Sequence, residues 1–319
     1  MVEKKTLPQG SLPVRGILCP MDFSEFSVRA LRYAILMAGH FEAHLFVQHT
    51  VPSHSLFHPG GASRDSPSLY VQSEIKQARL KISGLLKEAG LKPAEVHVFL
   101  NEGKVVDRIL ETVSKHSIDL VVMGTHGHKG FSRLVLGSVA EETIHRAGCP
   151  VLVVSHPEAD LTDAVHRFGA RWQSILLATD LSDHSDRALA YALQWACSWG
   201  SKVLIFHAVE EGAPALKGAT DLLPEYNASF KKLLSSAWDK IRHLVPEAVG
   251  PSCEVTYEVR PGHPKEEILR LAEEKGSDLI IMGARGSGRA TGSWGSVSSA
   301  VVRDGRFPVL ILREGGGHH

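Results

Sequence analysis

This sequence predicts an α/β protein built from two repeated, doubly wound domains, each a five-stranded parallel sheet with helices on both faces. Length, an internal repeat and the alternation of strand and helix patterns carry that reading. The chain has 319 residues, roughly two domains at ~150 residues each. Residues 22–34 read DFSEFSVRALRYA and residues 180–192 read DLSDHSDRALAYA, identical at eight of thirteen positions, with an offset of 158 from Asp22 to Asp180. The offset holds at His49/His207. It becomes 159 at Gly103/Gly262, Asp119/Asp278 and Gly124/Gly283, then returns to 158 at Gly137/Gly295 and Pro150/Pro308. The second copy has gained one residue in its middle and lost one between Gly286 and Gly295.

The elements follow in order. Gly16–Cys19 and Ser174–Ala178 start short apolar strands. A helix follows in the first copy, with Ala30, Leu31, Ala34, Ile35 and Ala38 spaced along one face. Leu45–His49 and Val203–His207 are second strands. A Gly/Pro/Ser-rich connection after Val51 leads to a helix around Glu74–Ala89. Val96–Leu100 is a third strand, followed by a helix from Val105 to His116. Leu120–Met123 is a fourth strand, a helix follows Gly137, and Val151–Val154 is a fifth. Near-continuous apolar strands between helices imply a parallel sheet covered on both faces, with right-handed crossovers. The expected domains are 12–156 and 172–314, joined by a linker at 157–171 that contains the helix-compatible stretch Asp160–Phe168.

Composition narrows the function classes. Apolar residues are 43% and charged residues 22%, which excludes a disordered, collagen-like or coiled-coil chain. Lys plus Arg and Asp plus Glu are both 35, so the basic field of a nucleic-acid binder is missing and no nucleic-acid partner is expected. No apolar stretch approaches the ~18–20 residues that cross a bilayer, and the N-terminus lacks the apolar core of a secretion signal. Cys19, Cys149, Cys197 and Cys253 form no Cys-x-x-Cys pair. Reduced thiols and a cytoplasmic location are expected, with Cys149 and Cys253 as packing residues.

Ligands of open parallel sheets bind beyond the carboxyl ends of the strands. After strand four the first copy reads GTHGHKGFSRLVLGSVAEE. Gly124, Gly127 and Gly137 punctuate a loop that ends at Ser138, where a helix starts. Glycines admit close approach of backbone to a bulky anion, and a helix start offers unpaired N–H groups. Ser138 can cap that helix or donate to a phosphate, and His128 and Lys129 add positive charge. Spacing alone leaves a plain glycine-rich turn equally open, and no Gly-Lys-Ser/Thr makes this a Walker A loop. After strand one, Asp22 can accept from ribose hydroxyls. Helix capping by Asp22 or Ser24 is the commoner use of such residues.

The combined pattern resembles the universal stress protein family over about residues 12–156 and 172–314. The family's ATP-binding form carries Gly-x2-Gly-x9-Gly-Ser after strand four, matched by Gly124, Gly127, Gly137 and Ser138. Its Pro-x-Asp-x-Ser matches Pro20, Asp22 and Ser24. Its His-Val matches His49-Thr50, with Thr50 in place of Val. Gly103 and the last strand Pro150–Val154 also fit. The resemblance implies an adenine nucleotide alpha-hydrolase-like fold that binds ATP, with Mg. Asp22 then holds the ribose, Thr50 lines the adenine pocket, and Met123 and Gly124 flank the nucleotide. Gly127, Gly137, Ser138 and Val139 take the phosphates around a divalent ion.

The second copy offers Asp180, Ala208, Met282, Gly283, Gly286, Gly295, Ser296 and Val297 as a weaker counterpart. Only eight residues separate its last two glycines, so its loop is expected to take a different path, with Trp294 bulky beside the phosphate position. Ala178 replaces the proline. Arg285 and Arg289 can compensate in charge. A second nucleotide site and a degenerate copy kept for packing are both open.

Other constellations count for less. Among 18 histidines, His126-Gly127-His128 and His54-x3-His58 lack zinc-ligand spacing. His49 and His207 end matching strands and read as hydrogen-bonded structural residues. No Ser-His-Asp set, nucleophile elbow or paired carboxylates appear, so no catalytic residue is assigned and at most slow ATP hydrolysis is expected. The resemblance implies a stress-response or regulatory nucleotide-binding module. A scaffold or adaptor for an unknown protein partner is the alternative. The apolar fifth strands, Val151–Val154 and Val309–Leu312, are expected to pair the two repeats as an intramolecular pseudo-dimer, and two chains can associate further as a homodimer.

Overall fold

Each repeat builds its sheet outward from its first strand. The computed structural model describes residues 14–52, 69–125, 136–155, 171–182, 185–210, 224–245, 253–285 and 294–313. They fall into two compact units, one over Pro13–Glu158 and one taking in Ala159–His319. The first runs β1 (Gly16–Pro20), α1 (Glu25–Phe41), β2 (His44–Pro52), α2 (Leu69–Glu88), β3 (His97–Gly103), α3 (Val105–Lys115), β4 (Leu120–Gly124), α4 (Ser138–Arg146) and β5 (Val151–Val154). Its strands are parallel, in the order β3-β2-β1-β4-β5. The second runs β6 (Ser174–Ala178), α5 (Asp186–Trp199), β7 (Lys202–Val209), α6 (Pro224–Arg242), β8 (Val255–Pro261), α7 (Pro264–Glu274), β9 (Leu279–Gly283), α8 (Ser296–Asp304) and β10 (Val309–Leu312). Its order, β10-β9-β6-β7-β8, is the same topology.

The sequence reading is refined at element ends. Strand β2 continues to Pro52, because Thr50, Val51 and Pro52 find register partners in Asn101, Glu102 and Gly103. Helix α2 starts at Leu69, five residues before Glu74. The buried stripe of α1 is Ser27, Ala30, Leu31, Ala34 and Met37; Ile35 and Ala38 flank it half-buried. Helix α1 is capped by Ser24, whose Oγ accepts from Ser27 N at 3.2 Å. It ends on Glu42 in the left-handed region, φ 53°. Helices α1 and α2 lie on one sheet face and α3 and α4 on the other, as right-handed crossovers require when connections leave β1 in opposite directions.

An aspartate locks each sheet at its base. Asp119 N donates to Gly16 O at 2.9 Å, and Asp119 Oδ2 accepts from Arg15 N at 2.7 Å and Gly16 N at 3.0 Å. Asp278 repeats the clamp on Gln173 N at 2.6 Å and Ser174 N at 2.9 Å. Burial pushes the Asp278 carboxyl above the usual aspartate range, and the two backbone donors offset this only in part. The folded state therefore holds its proton at pH values where the unfolded chain has lost it, and stability falls as pH rises through that window. Asp278→Asn is expected to abolish this contribution. Thermal unfolding of both proteins from below pH 4 upward should show the variant gaining on the wild type as pH rises; a pH-independent difference would contradict the assignment.

Candidate functional site

The topology brings the ends of β1, β2, β4 and the start of α4 to one rim. Asp22 Oδ1 accepts from Ser24 N at 3.0 Å and from Ser24 Oγ at 2.6 Å. Ser24 thus caps α1, and Asp22 holds Ser24 in place. Between them Phe23 adopts φ 65°, a strained conformation for a bulky residue. The Phe23 ring packs on His49 at 4.8 Å, with Lys81 Nζ 5.0 Å from its centroid. His49 Nδ1 lies 2.7 Å from Met21 O, so this histidine ties β2 to the turn. The second unit repeats the turn. Asp180 Oδ1 accepts from Ser182 Oγ and from Ser185 Oγ, each at 2.6 Å. Leu181 has φ 62°, and His207 Nδ1 lies 2.8 Å from Thr179 O.

Met123 is buried and ends β4 beside Gly124. Gly124 is required by packing: a Cβ there would lie 2.6 Å from Phe26 Cβ and 2.9 Å from Phe26 C. The first turn of α1 therefore sits directly against the end of β4. Beyond it, Thr125 N donates to Val154 O at 3.2 Å and Gly137 N donates to Thr125 O at 2.8 Å. This clasp closes the mouth of the glycine loop. Gly127, with His126, His128 and Lys129, lies outside the described residues, as do Gly286, Arg289, His54, His58 and 160–168.

Ser138 is not the cap of α4. Gly137 occupies that position, with φ −63° and ψ 136° and no side-chain cap bond. Ser138 is the first helical residue and is exposed, with Val139 half-buried behind it. The helix start thus presents backbone N–H groups and one exposed hydroxyl, a suitable cradle for an anion. The second unit keeps the same frame. Gly295 N donates to Ala284 O at 2.9 Å, and Ser296 is exposed. The missing residue therefore falls inside the loop without moving its two ends relative to each other. Trp294 does not stand free beside this start. It is 7% exposed, matching Leu136 at 7% in the first unit, so its bulk is taken up by packing.

The β2–β3 side of the rim differs between the units. Side chains alternate along strands, and register places Phe46, Gln48 and Thr50 on one face with His97, Phe99 and Asn101. The Phe46 and Phe99 rings contact His116 at the end of α3, which identifies this as the α3 and α4 face. Gln48 Nε2 donates to Thr50 Oγ1 at 3.3 Å, and Thr50 Oγ1 donates to Asn101 Oδ1 at 2.7 Å. Gln48 is 1% exposed, and its Oε1 has no hydrogen-bond partner. Sequence reasoning singled out Thr50 but missed Gln48 and Asn101. The available signal was polar residues at alternate positions in the otherwise apolar runs HLFVQHTVP and HVFLNEG. In the second unit these places hold Phe206, Ala208 and Arg260. Arg260 is bound to Glu258 at 3.0 Å and to Glu274 at 2.8 Å.

Comparison with known proteins agrees with this architecture. The universal stress protein family profile matches residues 13–155 and 171–313, and the chain belongs to that family. A universal stress protein of Methanocaldococcus jannaschii is 36% identical over 147 residues, covering 46% of this chain and 85% of its own. One from Mycolicibacterium smegmatis is 27% identical over 305 residues, covering 93% of this chain and 97% of its own. The crystal structure of a universal stress protein from Archaeoglobus fulgidus superposes with a TM-score of 0.64 at 22% identity, covering 96% of this chain and 98% of that one; this likeness bears on the fold. No helix among the described residues is long and apolar enough to cross a membrane.

The Gly124 contact gives a direct test. Gly124→Ala should force α1 away from β4 and destabilise the protein by about 1–3 kcal/mol, the usual cost of overpacking. Denaturant unfolding measures it, and an unchanged midpoint would show that α1 can shift without cost.

Proposed function

We propose that this protein is a nucleotide-binding regulatory module whose first repeat binds ATP. The observation that carries this is the clasped, exposed start of α4 at Gly137–Ser138, on the same rim as Asp22 and Thr50. Phosphates take the N–H groups of the α4 start, with Gly127 and Val139 alongside. The ribose lies by Asp22, and the base lies toward Thr50, with Met123 and Gly124 between. Among the described residues no group of three His, Cys, Asp or Glu side chains stands together as a metal site. A magnesium ion in this reading arrives with the phosphates. The second repeat keeps the phosphate frame at Gly295 and Ser296 but replaces the base side with Phe206, Ala208 and Arg260. One nucleotide per chain follows.

Three measurements test the reading. Nucleotide released on denaturing the purified protein should be adenine nucleotide at about one per chain. ATP-Mg at about 100 times its Kd should add roughly 2.7 kcal/mol of stability, a shift on the order of 5–10 °C for domains of this size. Gly137→Val should abolish that shift while leaving the unliganded melting temperature within a few degrees. An ATP-Mg effect that survives this substitution would move the phosphates away from α4.

We also propose that the repeats pair with each other through β5 and β10, each the apolar last strand of its unit's own order. A short apolar strand at the edge of a unit's own sheet invites pairing. Residues 12–156 and 172–314 expressed separately should each self-associate in sedimentation velocity; two stable monomers would overturn the pairing.

A further inference from the structure

We infer that Gln48, Thr50 and Asn101 form a hydrogen-bond relay that makes the first repeat read its base, with Asn101 Nδ2 as the donor to a ring nitrogen of the purine. The inference rests on the nucleotide reading of this site and adds to it the residues that hold the purine ring.

The relay is costly as core material. Gln48 is buried with an amide oxygen that no group satisfies, and such an orphan costs about 1–3 kcal/mol. Apolar residues fill two of the three equivalent places in the second unit, where Phe206 is 1% exposed and Ala208 stands for Thr50; the third holds Arg260. Stability alone therefore does not account for Gln48 and Thr50 on β2. Their donation runs one way, from Gln48 Nε2 to Thr50 Oγ1 and from Thr50 Oγ1 to Asn101 Oδ1. The hydroxyl of Thr50 is used in both directions. The Oδ1 of Asn101 is occupied, which fixes the amide and leaves its Nδ2 as a donor. Asn101 is half-buried, two residues before β3 ends at Gly103. It lies on the sheet face that α3 covers and that α4 shares farther along, at the rim where the base is proposed. A positioned amide donor at such a place selects an unprotonated ring nitrogen. Arg260, held between Glu258 and Glu274, offers no equivalent in the second unit.

The experiment uses the full chain and compares ATP with 1-deaza-, 3-deaza- and 7-deaza-ATP by calorimetric titration. In the wild type, one of the three should bind about two- to tenfold more weakly than ATP, the effect of one hydrogen bond. Asn101→Asp keeps the acceptor for Thr50 but turns the outward donor into an acceptor. Asn101→Val removes both. In each variant the weaker analogue should bind as well as ATP, while binding of inorganic tripolyphosphate by Asn101→Val stays at the wild-type level. Taking the ratio of two nucleotides within one protein cancels the added charge of Asn101→Asp. If no deaza analogue is weaker in the wild type, or none regains parity in the variants, the relay does not read the base although ATP binding stands. If the wild type binds no ATP, the nucleotide reading falls and this inference with it.

Discussion

The pairing of β1 with β2 on one side and β4 on the other is the constraint on which the rest of each unit depends. Because all strands are parallel, every connection must cross over a face, and right-handed crossovers send α1 and α4 to opposite faces. The loops after β1 and β4 then part, and a crevice opens between them at the carboxyl rim. Two devices keep that junction in register. An aspartate at the base, Asp119 or Asp278, takes two backbone donors from the first strand. At the rim, Gly124 lets the first turn of α1 rest against the end of β4.

The residues that form the rim also build the fold, which explains why functional and structural readings of them coincide. Asp22 organises the turn that caps α1 through Ser24, and His49 ties the same turn to β2. The strain at Phe23 is held by these bonds on either side. A side chain that holds a turn rigidly also stands in a defined place, and preorganisation of this kind lowers the ordering cost of binding a ligand.

The two units have kept this frame while diverging on the α3 and α7 face. Arg108 and Glu111 pair on α3, and Lys115 joins them; Glu267 and Arg270 pair on α7, and Glu274 joins them. The three charges are reversed in sign position by position, and each set also reaches outside its helix, through Arg108 to Glu102 O and through Glu274 to Arg260. Arg108 and Glu267 also lie against Gly103 and Gly262, which adopt φ of 143° and 138°. Charge here is interchangeable because in either arrangement opposite signs stand three and four residues apart on the helix. At the neighbouring rim the substitution of Phe206, Ala208 and Arg260 for Gln48, Thr50 and Asn101 replaces a chain of neutral hydrogen bonds by two apolar side chains and an ion-paired arginine. The backbone geometry of the α4 start and the α8 start is shared.

The repeat, the succession of strands and helices along the chain and the glycines after the fourth strand were legible in the sequence, because they rest on local signals: apolar runs, turn residues and a fixed offset between copies. Asp22, Ser24, Gly124 and Gly137 were legible for the same reason. The capping use of Asp22 and Ser24 was legible too, but the packing roles of the glycines were not. That Gly124 is demanded by Phe26, that Gly137 rather than Ser138 caps α4, and that Trp294 is buried where Leu136 is buried depend on contacts between distant segments. The loop one residue shorter still starts and ends on the same clasp, since hydrogen bonds from Gly137 to Thr125 and from Gly295 to Ala284 fix its ends. The partnership of Gln48, Thr50 and Asn101 is set by register between β2 and β3. A sequence carries the period of each strand, but only the assembled sheet decides which polar residues of two strands stand side by side.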